Sequence, residues 1–455
     1  MTTLCPGCGA INPKAAEACC ECGTQLVKTG SDVLEEALLL RQQGDPTEAL
    51  DRLKIALEME PNNADALFMF GSLTEDMGDY DTALSYYNRA LEVNENHAAA
   101  LVAKGSILRD LGDVDAASSL FDAAIASDNN FAVAYNAKGY LFQKQGSYKQ
   151  ALKYYNKAQQ IDPEFDLPWF NMGVCYALMN DNEKAEGMFE RALLIQPNNA
   201  DAWFYRANAL ANLERYDDAV INYDKGLTID DTRAPAWDGR GLALASLYKW
   251  TEALESFEKA LSLNPDYFIS CNNKGYVYYN LQKFDDALEN FNKALKISPD
   301  YVFAWINKGL ALDSLSRFEE AIECLDKALE LDPENFWVLN RKGFILFSAE
   351  RYEEAIAVFD KVLDVNPDDT YALSFKGSSY DGLGNFEEAI VSLDRVLEVD
   401  ENDEFAWTSK GSALFSLNRY DEALTCFDHA LEIDPQSLEA VQFKELIAQK
   451  RIGSK

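Results

Sequence analysis

The chain has 455 residues, with 41 basic and 76 acidic side chains, a formal net charge of −35 and 48% hydrophobic residues. That charge has the wrong sign for counterion release from phosphate backbones and for attraction to anionic lipid, so nucleic acid is not an expected main ligand. No apolar run approaches the roughly 20 residues needed to span a bilayer, and Met1-Thr2-Thr3-Leu4-Cys5 does not read as a secretory signal; membrane insertion is not expected, and a cytoplasmic location is the default.

Five of the nine cysteines fall within residues 5–22. They stand as Cys5-Pro6-Gly7-Cys8-Gly9 and Cys19-Cys20-Glu21-Cys22-Gly23, two C-x-x-C pairs each followed by glycine. The two-residue gap lets both thiolates of a pair face one tetrahedral ion, and the glycine permits the left-handed turn that follows. The expectation is one structural Zn2+ held by Cys5, Cys8, Cys19 and Cys22, with residues 1–29 as a small zinc ribbon and linker. Using Cys20 in place of Cys19 leaves a C-x-C pair, and a disulfide pairing is the alternative that an oxidising compartment would favour. Four thiolates close the coordination sphere, so such an ion keeps no open catalytic position. The segment resembles the short double-zinc-ribbon knuckles found at the ends of many prokaryotic proteins, which implies an interaction or structural role. Cys175, Cys271, Cys324 and Cys426 stand singly and read as small buried apolar residues.

From residue 30 onward a 34-residue period organises the chain. Glycines recur in that register at 71, 105, 139, 173, 241, 275, 309, 343, 377 and 411, with Ala207 at the missing step. Alanines follow twelve positions later, from Ala83 to Ala423, and Ala37 and Ala49 extend the series back by one unit. The expectation is twelve units over residues 30–437, each a pair of amphipathic helices. Glycine and alanine stand where two helices must approach closely, and larger residues such as Phe291, Trp305 and Leu312 fill the space between. Acidic pairs such as Glu319-Glu320 open the second helix, where the dipole favours negative charge. Prolines such as Pro299 and Pro333 stop it. Glu95, Asn129, Asp231 and Glu401 replace that proline, and their units are expected to bend differently. Residues 438–451 read as one more helix whose charged positions suit a polar cap, leaving 438–455 as capping helix and tail.

The pattern in Trp305, Gly309, Leu312, Ala321, Leu325, Ala328 and Pro333 resembles the tetratricopeptide repeat family, over roughly residues 30–437. The resemblance implies an all-α, right-handed superhelical solenoid of helical hairpins, whose first helices line a trough that takes a peptide segment or helix from a protein partner. Positions one turn apart on that face are Asn272, Tyr276, Tyr279 and Asn280, then Asn340, Phe344 and Phe347, with Asn136 and Tyr140 earlier and Phe415 later. Asparagine can both donate to and accept from a peptide backbone, and aromatic rings give apolar contact at low entropy cost. The alternative is that these aromatics merely fill the trough. Some members of the family clamp a carboxylate with recurrent basic residues; here those residues stand one position off, and the clamp is not supported. Others carry an asparagine ladder, which Asn171, Asn273 and Asn307 match and Arg341, Phe375 and Ser409 interrupt.

A basic residue precedes the glycine in nine units, for example Lys138, Lys274, Lys342, Lys376 and Lys410, and eighteen positions later stand residues such as Asn156, Asp360 and Asp394. The expectation is an ion pair or hydrogen bond between the two helices of one hairpin, with the signs exchanged at Glu36 and Lys54. The two histidines, His97 and His429, lie far apart and read as hairpin-end residues, and no phosphate-binding glycine loop is present. The chain therefore reads as a non-enzymatic protein-binding scaffold with the ribbon as auxiliary module. The competing reading is a nucleic-acid-associated factor in which the ribbon binds RNA or DNA and the acidic array recruits protein. A weaker third is an enzyme subunit that acts through a bound partner.

Overall fold

The computed structural model describes residues 2–4, 11–13, 20–22 and 29–453. Two short strands, β1 (Thr2–Leu4) and β2 (Ile11–Pro13), pair antiparallel with Leu4 opposite Ile11. Everything described from residue 30 onward is helix and short connection, in two units covering residues 1–231 and 232–455.

The first unit carries α1 (Gly30–Gln42), α2 (Pro46–Met59), α3 (Ala64–Asp76), α4 (Tyr80–Val93), α5 (Ala98–Asp110) and α6 (Val114–Ser127). It continues with α7 (Ala132–Lys144), α8 (Tyr148–Ile161), α9 (Asp166–Leu178), α10 (Asn182–Ile195), α11 (Ala200–Asn212) and α12 (Tyr216–Ile229). The second unit opens with α13 (Ala234–Ser246), α14 (Trp250–Leu263), α15 (Phe268–Asn280), α16 (Phe284–Ile297), α17 (Val302–Ser314) and α18 (Phe318–Leu331). It ends with α19 (Phe336–Ser348), α20 (Tyr352–Leu363), α21 (Thr370–Gly382), α22 (Phe386–Val399), α23 (Glu404–Ser416), α24 (Tyr420–Ile433) and α25 (Leu438–Gly453). Within each unit an odd-numbered helix packs against the even-numbered one that follows it, forming a hairpin.

Small residues set the hairpin spacing. A Cβ built on Gly275 would lie 2.6 Å from the ring of Phe291, and one on Gly343 2.5 Å from that of Phe359. Both rings are fully buried. Where Ala207 stands in place of glycine, the glycine reappears on the partner helix: a Cβ on Gly226 would meet the Phe204 ring at 2.4 Å. The turn inside each hairpin needs one residue at positive φ. Glycine supplies it at 44, 78, 112, 146 and 384, whereas Asn180, Glu214, Tyr248, Gln282, Ser316, Glu350 and Asn418 supply it elsewhere, at φ of 56–60°.

The connection between hairpins is fixed by a tryptophan. The indole N–H groups of Trp203 and Trp305 donate to the carbonyls of Pro197 and Pro299, at 2.9 and 2.8 Å. Trp407 makes the same bond to Glu401, one of the residues that replace proline, at 2.8 Å. Tyr135 donates likewise to Asn129 at 3.3 Å. The substituted connections at 129 and 401 therefore keep the turn, because the carbonyl and not the pyrrolidine ring makes the contact. An unforeseen departure occurs at α20, which has 12 residues where the other second helices have 14.

The terminal helix α25 behaves as the first helix of a further hairpin. Ala440 and Ile447 are buried against α24 and α23, and the Phe443 ring stacks on Phe427 at 5.2 Å. Its outer side is less polar than expected, since Leu438, Val441 and Leu446 are exposed.

Candidate binding face on the first helices

Contacts between alternate helices run through the odd-numbered ones, α3 with α5, α5 with α7, α7 with α9 and α9 with α11 in the first unit. In the second unit the same holds for α13 with α15, α15 with α17, α19 with α21 and α21 with α23. The first helices of successive hairpins thus make a wall over α3–α11 in the first unit and over α13–α17 and α19–α25 in the second, and the expected site residues all lie on it.

Two of those residues serve the wall itself. Asn272 is 5% exposed; its Oδ1 accepts from Asn307 at 2.9 Å and its amide donates to Asn273 at 3.3 Å. Asn273 in turn donates to both carboxylate oxygens of Asp238 at 3.1 Å, and Ser270 donates to Asp238 at 2.5 Å. Asn136 accepts from Asn171 at 3.1 Å. Asn272 therefore does not present a free amide to a ligand: the next hairpin's asparagine covers it, and buried polar groups must be paired, whereas half-buried Asn136 has its Oδ1 taken by Asn171. Burial pushes the Asp238 carboxyl above the usual range, against the hydrogen bonds from Ser270 and Asn273.

Tyr276 is open to solvent at 45% exposure, as is Asn280, whose amide donates to the Tyr276 carbonyl one turn back. Tyr140 is half-buried beneath Arg109 and Lys144, 4.7 and 5.3 Å from its ring centre. Tyr279, Phe344 and Phe347 are half-buried on the core edge. Phe344 and Phe347 pack on Phe375 at 5.1 and 5.5 Å, and Phe415 packs on Phe443 at 5.3 Å. Most of the expected aromatics thus fill space between first helices, and Tyr276 is the one that stands clear. Asn340 is half-buried, and its Oδ1 has no donor.

Sequence reasoning overlooked a second column. Phe303, Trp337, Tyr371 and Phe405 each occupy the second residue of a first helix, α17, α19, α21 and α23, and are 64%, 55%, 40% and 43% exposed. Recurrence of an aromatic every 34 residues, just after the hairpin connection, was the signal available. The corresponding positions in the first unit are Asp65, Ala99, Val133, Leu167 and Asp201.

Arg240 donates within its own hairpin, to Ser256 at 2.7 Å, but most of the basic column pairs differently from the expectation. Lys274 binds Glu258 at 2.8 Å, Lys376 binds Asp360 at 2.6 Å, Lys410 binds Asp394 at 2.5 Å, and Lys138 and Lys342 bind Asp122 and Asp326. Each cation takes the acid of the preceding hairpin, sixteen positions back, because a first helix lies against the second helix before it. Lys444 on α25 continues the series with Asp428. Lys54 pairs with Asp51 within its own helix at 2.9 Å, and not with Glu36.

Both histidines have structural partners. The Ala100 N–H donates to His97 Nδ1 at 3.2 Å, capping α5, while Nε2 lies 3.1 Å from Asp65. His429 stacks on Trp407 at 4.6 Å. Burial raises the thiols of Cys175, Cys324 and Cys426, the first to about 12 and the others to about 11, which keeps them unreactive. A cleft of about 700 Å³ opens beside the shortened α20, lined by residues including Phe336, Leu339, Lys342, Val358 and Val365, with Lys342 already paired to Asp326. No helix among the described residues is long and apolar enough to cross a membrane.

Stacked helical hairpins on a 34-residue period, with a wall of first helices, define a tandem-repeat protein. Models of the tetratricopeptide repeat match residues 34–221 and 234–437 in successive stretches, and the chain belongs to that family. No curated protein matches it. Among solved structures, YrrB, described as a TPR protein with an unusual peptide-binding site, is 26% identical, with 40% of this chain and 95% of that one covered at a TM-score of 0.37. MamA from Desulfovibrio magneticus RS-1 is 21% identical, covering 37% and 96% at 0.36. The Cut9–Hcn1 hetero-tetramer of APC/C is 16% identical, covering 92% and 96% at 0.45.

Proposed function

We propose that the chain is a non-enzymatic scaffold that holds a peptide segment or helix of a partner protein on the first-helix face. The observation that carries this reading is the wall that successive first helices make, which leaves apolar side chains such as Tyr276 and Trp337 in solvent. Isolated exposed apolar residues need no explanation, but a column of them at fixed register marks an interaction surface. The N-terminal cysteines supply the auxiliary module, with one Zn2+ on Cys5, Cys8, Cys19 and Cys22. Cys5, Cys8 and Cys19 lie outside the described residues; the donor set is right for zinc, Cys5 and Cys8 fall in the segment joining the paired strands β1 and β2, and Cys22 sits in an exposed turn.

The test is affinity capture of partners from lysate of the source cells, read by mass spectrometry, with metal content measured on the same preparations. The full chain is compared with a Tyr276→Ala/Trp337→Ala variant and a Cys5→Ser/Cys8→Ser variant. The expected result is about one zinc per chain, lost in the cysteine variant, and a protein partner lost in the aromatic variant. A partner retained by the aromatic variant would reject the first-helix face, and a metal-free native chain would reject the zinc module.

A further inference from the structure

In the second unit the polar relay along the first helices runs as far as Asn307 and lapses after it. Asn171, Asn273 and Asn307 each donate to the side chain thirty-five positions earlier, on Asn136, Asp238 and Asn272. Position 341 breaks the series, because Arg341 turns to Asp313 at 2.6 Å and leaves its Nε buried without an acceptor. Position 375 breaks it again. Phe375 offers no donor, so Asn340 Oδ1 is buried and unpaired. On α21 the same is true of Asp381 Oδ1. Among the described residues of the second unit, these are the buried side-chain polar atoms without a partner, and all lie on α19 and α21. Departures from otherwise consistent local rules concentrate where a protein binds something.

The exposed aromatic column coincides with that gap. Tyr371 and Asp381 stand in the first and last turns of α21, and the Tyr371 and Phe405 rings lie 4.7 and 5.7 Å from Phe375. Acid predominates there. Asp381 has no cationic partner, and its nearest charged influence is Glu439 on α25, which, after burial itself, pushes its carboxyl further up. Exposed acids also stand in the connections before the aromatic-bearing helices, at Asp300, Glu334, Asp368 and Glu401. The arginines there are already paired, Arg341 with Asp313 and Arg395 with Asp368.

We propose that the first-helix face of α17 to α23 takes a basic, apolar-bearing peptide segment of a partner protein. Apolar side chains of that segment lie on Trp337, Tyr371 and Phe405, and a lysine or arginine head meets the carboxylates of Asp381 and Glu439. The proposal rests on the protein-binding reading above and names the chemistry of the bound segment. An aromatic face beside a carboxylate suits such a side chain twice over, through the stem and the charged head. Acidic segments and nucleic acid meet unpaired carboxylates there instead.

The test is fluorescence anisotropy on the full chain with three labelled peptides of one length, alternating Leu–Lys, Leu–Glu and Leu–Ser, and a Gly–Lys control. The Leu–Lys peptide should bind about 10-fold or more tightly than the other three. Trp337→Ala and Tyr371→Ala should each weaken it by about 10-fold, while Leu167→Ala in the first unit leaves it unchanged. Asp381→Asn with Glu439→Gln should remove the preference for Leu–Lys over Leu–Ser, and circular dichroism establishes that each variant is folded.

Several results overturn the proposal. Equal binding of Leu–Lys and Gly–Lys, or Leu–Lys binding indifferent to Trp337→Ala, would be attraction to the net charge alone. A preference that survives the carboxylate substitutions would also reject it, as would self-association that Trp337→Ala abolishes, which would make a second copy the occupant. In the first two cases a partner lost from the Tyr276→Ala/Trp337→Ala capture would still uphold the broader reading. Peptide selectivity as expected, with capture unaffected, would instead confine the failure to that reading's choice of partner face.

Discussion

Glu350 holds φ at 58° in the turn between α19 and α20. That left-handed conformation costs an L-residue about 1–2 kcal/mol, and glycine almost nothing. Five of the equivalent turns carry glycine, so the backbone shape is demanded by the hairpin and not by the residue. Glu350→Gly removes the strain but gives the unfolded chain more freedom, worth about 0.5–1 kcal/mol in the other direction. The expected net result is a stabilisation of about 0.5 kcal/mol, seen as a higher urea midpoint with unchanged m. A lower midpoint would show that the exposed Glu350 side chain contributes more to the fold than its backbone costs. The buried positions behave oppositely: Gly275 has no room for a methyl group, because Phe291 already fills the space.

At the scale of elements, the lysine column joins one hairpin to the next. Lys376 is 21% exposed and Asp360 50%, so their bond is partly screened and worth about 0.5–1 kcal/mol. A double-mutant cycle on Lys376→Met and Asp360→Asn should return a coupling of that size, whereas Lys376→Met with Asp394→Asn should be additive within about 0.3 kcal/mol. The reverse outcome would restore pairing inside the hairpin. Sequence could not separate these two arrangements. With a 34-residue period, a partner eighteen positions ahead and one sixteen behind belong to the same two columns, and only packing decides between them. What was legible was everything set by a single hairpin: the period, Gly275 and Ala287 at the helix contact, and the stops at Pro299 and Pro333. What was not legible was contact between hairpins. Asn272 had the right helical face for a ligand, but Asn307 of the next hairpin covers it. Trp337 stands at the helix start, more than one turn before the glycine that marks the repeat, and its recurrence shows only against Phe303, Tyr371 and Phe405. Cys5, Cys8 and Cys19, proposed above as zinc ligands, fall outside the described residues.

For the whole molecule the decisive property is its excess of acid, 76 carboxylates against 41 basic side chains. At neutral pH that excess opposes compactness through self-repulsion. Most perturbed surface acids, such as Glu320 and Glu354, are held down by hydrogen bonds from Arg317 and Arg351, so their small contribution is lost only as pH falls through those lowered values. Asp238 and Asp381 have the opposite sign: burial raises both. A carboxyl that holds its proton more strongly folded than unfolded stabilises the fold fully below its unfolded value of about 3.9, and that contribution disappears as pH rises through the folded value. Charging Asp238 inside the wall then becomes a cost borne at neutral pH, relieved in part by Ser270 and Asn273. Asp238→Asn keeps an acceptor for Ser270 while removing the charge. The midpoint of thermal unfolding, followed by circular dichroism, should therefore decline less in this variant than in the native chain as pH rises above the unfolded value of about 3.9, with the two closest at the acidic end. Parallel curves for the two proteins across that range would mean that the relay from Asn307 through Asn273 solvates the carboxylate as well as water does.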